Sequence, residues 1–331
     1  MDFGFLGRFF YSQLFVTPPY HSLSAPYYDC TGKTIIVTGA NVGLGFEAAK
    51  HFVRLGAEKV VLGVRSLEKG EAAKKRIEGR EKRSGVVEVW IVDLLSYESV
   101  KEFAKRADGL RRLDAVVENA GIATRDFRLV QGNESTITTN VVSTFLLALL
   151  ILPKLKETAQ RFNINPNLTF VSSEVHFLTT VSERQEAGPD GLFAALNDES
   201  KANMGDRYNV SKIIEVFAVR EICATMAKQP YPVTINFLNP GLCHSELVRG
   251  VGLRGYLFRL LFARTTEVGG RTLVQAALAG QDTHGQYLSD SVRNSPSRFV
   301  LSDEGKEVQK TIWEELSQKL EDIQPGVLQN F

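Results

Sequence analysis

Short apolar runs alternate with amphipathic stretches from residue 33 onward. Residues 33–38 (KTIIVT) are a β-branched run that stops at Gly39, and such residues suit a pleated, buried strand. Residues 42–55 then carry apolar positions at helical spacing, with Leu44, Ala48 and Phe52 on one side. The same logic predicts further strands at 59–64, 86–92, 113–117, 168–172, 233–238 and 286–289. Helices are predicted at 66–83, 96–107, 133–160 and 205–228. Strands joined through helices run parallel, with helices on both faces of the sheet. Right-handed crossovers make this an α/β, doubly wound Rossmann-type sheet of about seven strands.

Three pieces stand outside the alternation. Residues 1–30 form an N-terminal extension with an amphipathic stretch at 3–16. Residues 177–207 are long, polar and poor in strand or helix signals, a pattern of functional or mobile loops. From residue 302 an amphipathic helix (Val308, Ile312, Leu316, Leu320) is expected to pack back on the core. No composition shift marks a second domain, so residues 1–331 are expected to be one.

Composition narrows the function classes. Apolar residues make up 44% and charged ones 23% of the 331 residues, which excludes wholesale disorder. A formal charge of +1 argues against a nucleic-acid binder working by bulk charge. Three cysteines in so long a chain make no disulfide framework, and a reducing, cytoplasmic setting is expected. The longest apolar stretch, 141–152, falls short of the about 20 residues that span a bilayer. Segment 3–16 holds Arg8 as its one basic residue and lacks a secretory cleavage pattern. It reads as a helix resting on the protein's own surface, with peripheral contact to a membrane face as the alternative.

The first strand-to-helix turn reads Thr38-Gly39-Ala40-Asn41-Val42-Gly43-Leu44-Gly45. Glycines there let the backbone turn sharply and approach a pyrophosphate, whose charge meets amides at the helix N-terminus. A glycine triplet alone is weak evidence. At the first turn of an alternating chain it is strong, against the plainer reading of a helix cap with packing glycines. The second strand ends Gly63-Val64-Arg65-Ser66, with no acid in reach. An NAD site puts a carboxylate there for the ribose hydroxyls. Arg65 instead offers a fork of donors to a 2′-phosphate, with Ser66 beside it. NADP(H) is therefore the expected cofactor; the plainer alternative is a solvated arginine.

The order and spacing of TGANVGLG, Asp93-Leu94, Asn119-Ala120-Gly121, Ser173, Tyr208-x-x-x-Lys212 and Pro240-Gly241 resemble the short-chain dehydrogenase/reductase family over residues 30–290. The segments VSSEVH, RYNVSK and NPGLCHSEL are most similar to retinol dehydrogenase-like enzymes and reductases of fungal natural-product pathways. The resemblance implies that Tyr208 is the acid/base and that Lys212, four residues on and on the same helix face, tunes it and holds the nicotinamide ribose. An ammonium about 4 Å away lowers a phenol by up to about 4 kcal/mol, or about three pKa units, which would bring Tyr208 towards 7. The resemblance makes Ser173 the hydroxyl that stabilises charge on the substrate oxygen, with Ser172 as the competing serine. It gives Asn140 a water-linked proton path to the lysine, against a polar residue that merely bends its helix. It further implies that Asp93 caps the adenine, and that Pro240, Gly241 and Ser245 flank the nicotinamide carboxamide. Dimers or tetramers pairing through the helices at 133–160 and 205–228 are expected on the same ground.

Two departures stand out. Glu118 precedes Asn119 where many relatives carry another asparagine, and Ser173 and Tyr208 lie 35 residues apart, well above the family's usual gap. The surplus maps to 177–207, which reads as a lid over a bulky substrate or a solvated insertion. Leu253, Tyr256, Leu257, Leu260 and Leu261 follow the Pro-Gly turn, where the family builds its substrate cover, and imply a hydrophobic ketone, aldehyde or alcohol. No pair of the five histidines has metal-ligand spacing; His176, near Ser173, reads as packed or solvent-facing, with a pocket-lining place as the alternative, and Cys243 as a pocket-lining candidate. The expected activity is NADPH-dependent carbonyl reduction or its reverse. The rival is a non-catalytic NADPH-binding sensor or scaffold.

Overall fold

The computed structural model describes residues 3–18, 28–226, 231–244 and 260–331. Ser245, Leu253, Tyr256 and Leu257 lie outside the described residues. The strands are β1 (Thr34–Thr38), β2 (Lys59–Val64), β3 (Val87–Ile91), β4 (Ala115–Glu118), a short hairpin β5 (Leu129–Val130) and β6 (Asn133–Glu134), then β7 (Asn167–Val171), β8 (Thr234–Asn239), β9 (Tyr287–Ser289) and β10 (Val292–Asn294). The main sheet has eight strands in the order β10-β9-β8-β7-β4-β1-β2-β3. Every pair in it is parallel except β9 with β10, an antiparallel edge that sequence patterning missed. Chain order reverses between β1 and β4, and that switch point opens a crevice at the carboxyl edge where ligands bind in such sheets.

Strands β1–β4 and β7–β9 feed two cores, because successive side chains point to opposite faces. Ile35 and Val37 of β1 pack with Phe46, Phe52 and Val274 on one face. Ile36 packs with Phe103, Phe145 and Phe217 on the other. The first face is covered by α2 (Gly43–Arg54), α3 (Leu67–Glu81) and α9 (Thr266–Ala277); the second by α4 (Tyr97–Asp108), α6 (Thr144–Phe162) and α8 (Arg207–Met226). Between α2 and α9 the approach is close: a Cβ on Gly270 would lie 2.8 Å from Glu47 Cβ.

The helix expected at 133–160 is interrupted. One α turn, α5 (Ser135–Ile137), leads into a π-helical segment, Thr138–Ser143, before α6 begins. The stretch 135–162 is long and apolar enough to cross a membrane, yet 94% of its most apolar window is buried inside the protein. It is a core helix.

The segment 177–207 is not wholly a solvated insertion, because parts of it pack on the protein while 185–190 and 199–205 stay exposed or half-buried. It carries a short helix, α7 (Leu192–Leu196), whose first amides Leu192 N and Phe193 N donate to Glu315 at 2.8 and 2.9 Å. Glu315 belongs to α11 (Asp303–Ile323), which follows the single turn α10 (Arg298–Leu301). Val181, Leu192, Phe193 and Leu196 are buried. The helix α11 buries Ile312, Leu316 and Leu320 as expected, with Val308 partly buried. Its Gln309 bonds to Arg220 and Glu221 of α8, and Lys156 and Leu149 of α6 bond to the last two residues. The chain's own C-terminal segment thus covers helix faces expected to pair between subunits.

The N-terminal helix α1 (Phe3–Phe15) packs on the protein. Phe5 stacks on Phe177 at 5.1 Å, and Phe10 meets Phe262 edge-on at 5.1 Å. Gln13 Nε2 donates to Leu242 O, while Arg264 Nη2 donates to Ser12 O and Val16 O. Tyr11, Leu14 and Phe15 remain exposed on its outer face.

Candidate active site

The glycine-rich turn is shaped by what stands behind it. Gly39 has φ +64°, and a Cβ there would lie 2.9 Å from Ala120 Cα. A Cβ on Gly45 would lie 2.5 Å from Asn119 Nδ2 and 2.8 Å from Gly39 O. Asn119 Nδ2 donates to Thr38 O at 2.8 Å, and Thr38 Oγ1 accepts from Asn119 N and Ala120 N at 2.9 and 3.0 Å. Asn119, Ala120 and the loop are one unit. Val42 stands at the N-cap of α2 without a side-chain cap, so the first amides of the helix keep their donors for an anion. A hollow of about 260 Å³ lies against this turn, lined by Val42, Gly43, Phe46, Glu47, Arg76, His244 and Thr266. Asn41, Gly43 and Leu44 are partly exposed along the same loop. These features fit a dinucleotide phosphate.

Arg65 follows β2 and is exposed; Ser66 caps α3, its Oγ accepting from Lys69 N. Arg76 stacks over Phe46, 4.4 Å from the ring centroid, and is a second basic group near the loop that sequence reading did not single out. Asp93 follows β3, its Oδ1 accepting from Leu95 N at 3.0 Å, and Leu94 O accepts from Ser143 Oγ. After β8, Gly241 N donates to Asn239 Oδ1 across the Pro240-Gly241 turn.

Glu118 explains the first departure. It is buried and accepts from Thr38 Oγ1 at 3.2 Å. Burial pushes its carboxyl up to about 8, partly offset by that bond. The folded protein holds a proton that the unfolded chain releases above its ordinary 4.5. This contribution is present at low pH and is lost as pH rises from about 4.5 to about 8. Glu118→Gln should flatten the decline in urea midpoint between about pH 5 and pH 8; an unchanged slope would show that the carboxyl stays ionised when buried.

Ser173, Tyr208 and Lys212 meet at the carboxyl end of β7. Ser172 points inward, donating to Lys212 O at 3.2 Å, whereas the Ser173 hydroxyl lies beside the Tyr208 phenol and lowers it. That separates the two serines. Lys212 Nζ lies 5.8 Å from the Tyr208 ring centroid. A Cβ on Gly121 would lie 3.1 Å from Asn140 Oδ1 and 3.9 Å from Lys212 Nζ, so these three groups also converge. Asn140 sits in the π segment, its Oδ1 accepting from Ile122 N and its Nδ2 donating to Ile122 O and Ser211 Oγ. Both readings of Asn140 therefore touch the structure: it lies in the distorted turn and beside the lysine.

The expected lowering of Tyr208 is reversed. Burial raises its phenol, Lys212 opposes that, and Glu215 adds to the rise. Burial is the main reason, and a residue the sequence reading passed over, Glu215, adds to it. Lys212 Nζ is paired with Glu215 at 2.8 Å, so a negative charge opposes its field at the phenol. Burial pulls Lys212 down, but Glu215 and Tyr208 outweigh it and the net shift is upward.

His176 is packed rather than solvent-facing. Its Nδ1 contacts Ser173 O at 2.6 Å and its Nε2 accepts from Ser297 N at 3.2 Å. Burial pulls it down to about 4, so the neutral ring donates through Nδ1 and fixes the Ser173 backbone. Cys243 is buried and its thiol is pushed up to about 12, which leaves it unreactive.

A parallel doubly wound sheet with a glycine-rich first turn and a Ser-Tyr-Lys cluster at its carboxyl edge defines a Rossmann-type oxidoreductase. The comparisons with known proteins agree. A family model described as short chain dehydrogenase matches residues 33–175. The chain is 51% identical over 329 residues to the short chain dehydrogenase/reductase dmxR8 of Cryptosporiopsis sp. (strain 8999), covering 98% of this chain and 99% of that protein. It is 42% identical to the short-chain dehydrogenase anuD of Penicillium roqueforti, covering 96% and 84% respectively. Among solved structures, a short chain dehydrogenase of Escherichia coli CFT073 complexed with NADPH shares the fold, with TM-score 0.58 and 23% identity over 79% of this chain and 98% of that one. The chain belongs to the short-chain dehydrogenase/reductase family.

Proposed function

We propose that this oxidoreductase is an NADP(H)-dependent carbonyl reductase, or the reverse alcohol dehydrogenase, acting on a hydrophobic ketone, aldehyde or secondary alcohol. The observation that carries the reading is the convergence of Ser173, Tyr208 and Lys212 beside a phosphate-shaped turn whose neighbouring strand ends in Arg65 rather than an acid. The fungal relatives support a place in secondary metabolism, and the free, buried thiols support a reducing cytoplasmic setting.

The turn at 39–45, Arg65 and Ser66, Asp93 and Leu94, and the segments at 119–121 and 240–241 would hold the cofactor. Bound NADPH supplies the hydride. Ser173 offers its hydroxyl to the substrate oxygen, and Tyr208, beside Ser173, donates the proton to it. Lys212 holds its charge beneath the tyrosine ring. Leu260 and Leu261 expose 58% and 69% of their surface at the end of the substrate-cover segment, which suits an apolar substrate.

Arg65→Ala should weaken NADPH binding about tenfold or more while leaving NADH nearly unchanged, since charge-assisted bonds to a phosphate contribute about 1.5–3 kcal/mol. Nicotinamide fluorescence titrations of both proteins check this. Equal loss for the two cofactors would remove the 2′-phosphate assignment.

A further inference from the structure

Lys212 does not stand alone beneath Tyr208. Its Nζ donates to Glu215 Oε1 at 2.8 Å and to Val171 O at 2.9 Å. Both side chains are buried, with 6% and 4% exposed. Glu215 lies three residues on, on the same helix face, among Ile213, Ile214, Val216 and Phe217, all fully buried. An apolar side chain would pack there without the penalty that a buried carboxyl incurs. The ammonium has three N–H donors; Glu215 and the end of β7 occupy two, which leaves one for a ligand.

Resting on the proposed function, we infer that Glu215 is a positioning residue for the reaction: it anchors the Lys212 ammonium at the end of β7 and keeps it charged in apolar surroundings. The charged or titratable groups facing it among the described residues are Lys212 and Tyr208 on its own helix; the end of β7 and the residue after it present only Val171 O and the neutral Ser172 hydroxyl. Burial pushes Glu215 up to about 7 while Lys212 pulls it down, and its own charge raises both Lys212 and Tyr208. Removing the carboxyl therefore lets the Tyr208–Lys212 pair lose its first proton at lower pH. For reduction, loss of either proton disables the site, so both effects move the basic limb the same way.

The test uses the full chain as wild type, Glu215→Gln and Glu215→Asp, with 9,10-phenanthrenequinone as probe carbonyl. In Glu215→Gln the basic limb of the kcat profile should move down by about one pH unit or more, and Glu215→Asp should restore most of it. NADPH affinity, read by fluorescence, should stay within about threefold at about pH 6.5 and fall at lower pH than in wild type. A uniform drop at every pH with the limb in place would overturn the inference and leave Glu215 a packing residue. Glu215→Met, suited to the apolar surroundings, carries the same test should the amide fail to fold. A wild type that binds NADPH but never reduces the quinone counts against the proposed function, while the pH dependence of NADPH binding still decides the role of Glu215.

Discussion

Tyr208→Phe should bind NADPH within about threefold of wild type and lose about two to four powers of ten in turnover, the range a positioned general acid contributes. Phenylalanine keeps the ring and its packing above Lys212, and removes only the hydroxyl beside Ser173. The loss therefore belongs in kcat, with cofactor affinity as the control. The raised phenol adds a direction to the argument. In the cofactor-free protein Tyr208 is protonated across neutral pH, so it stands ready to donate, and reduction should keep a flat rate through neutrality before its basic limb. Oxidation of an alcohol needs the phenolate and should rise with pH over the same range. Steady-state rates in both directions check this. Retained turnover in Tyr208→Phe would mean that the proton comes from another group, and the assignment of Tyr208 would fall.

The strands were legible because buried parallel strands read as short continuous apolar runs. Runs 59–64 and 33–38 land within one residue of β2 and β1. The turn at 39–45 and the Ser173, Tyr208 and Lys212 set were legible because the motifs sit at fixed places on those strands and helices. What escaped depends on contacts between distant segments. Asn140 itself was marked by the resemblance, but the π segment that sets it against Ile122 and Ser211, 18 and 71 residues away, has no local signal. Glu315 caps α7 from 123 residues away, so a segment without helical signals still forms a helix. Glu215 was visible as one charge inside the apolar run Ile213-Ile214-Glu215-Val216-Phe217. A charge in such a run needs a buried partner, and that signal could have found it before the structure did.

The same reasoning applies most strongly to Arg207, the residue before Tyr208. Its side chain is fully buried, with Nε 3.7 Å from Glu134 Oε2 and Nη2 3.8 Å from Glu183 Oε1. Those carboxylates come from different places: Glu134 ends β6 and accepts from Thr136 N and Ile137 N, while Glu183 lies in the segment 177–207. Arg207 therefore ties that segment and the start of the π-bearing helix to the first turn of α8. The distances are those of ion pairing rather than good hydrogen bonds. Burial pulls Arg207 down, and Glu183, Glu134 and Asp206 oppose that. Arg207→Met would leave two buried carboxyls facing each other without the cation, and breaking a buried pair in this way costs about 3–5 kcal/mol. Replacing all three charges should be far milder, since an apolar or neutral substitute for a buried charge cluster is often close to neutral. Urea unfolding of Arg207→Met, Glu134→Gln/Glu183→Gln and the triple variant should show the single change as the most damaging and the triple as a recovery. Turnover of Arg207→Met should drop as well, because Tyr208 loses the support of its neighbouring turn. A single variant as stable as wild type would mean that the ion pairs of Arg207 do not stabilise the fold, and the segment 177–207 would then be held by its other contacts, Glu315 and the apolar side chains among them.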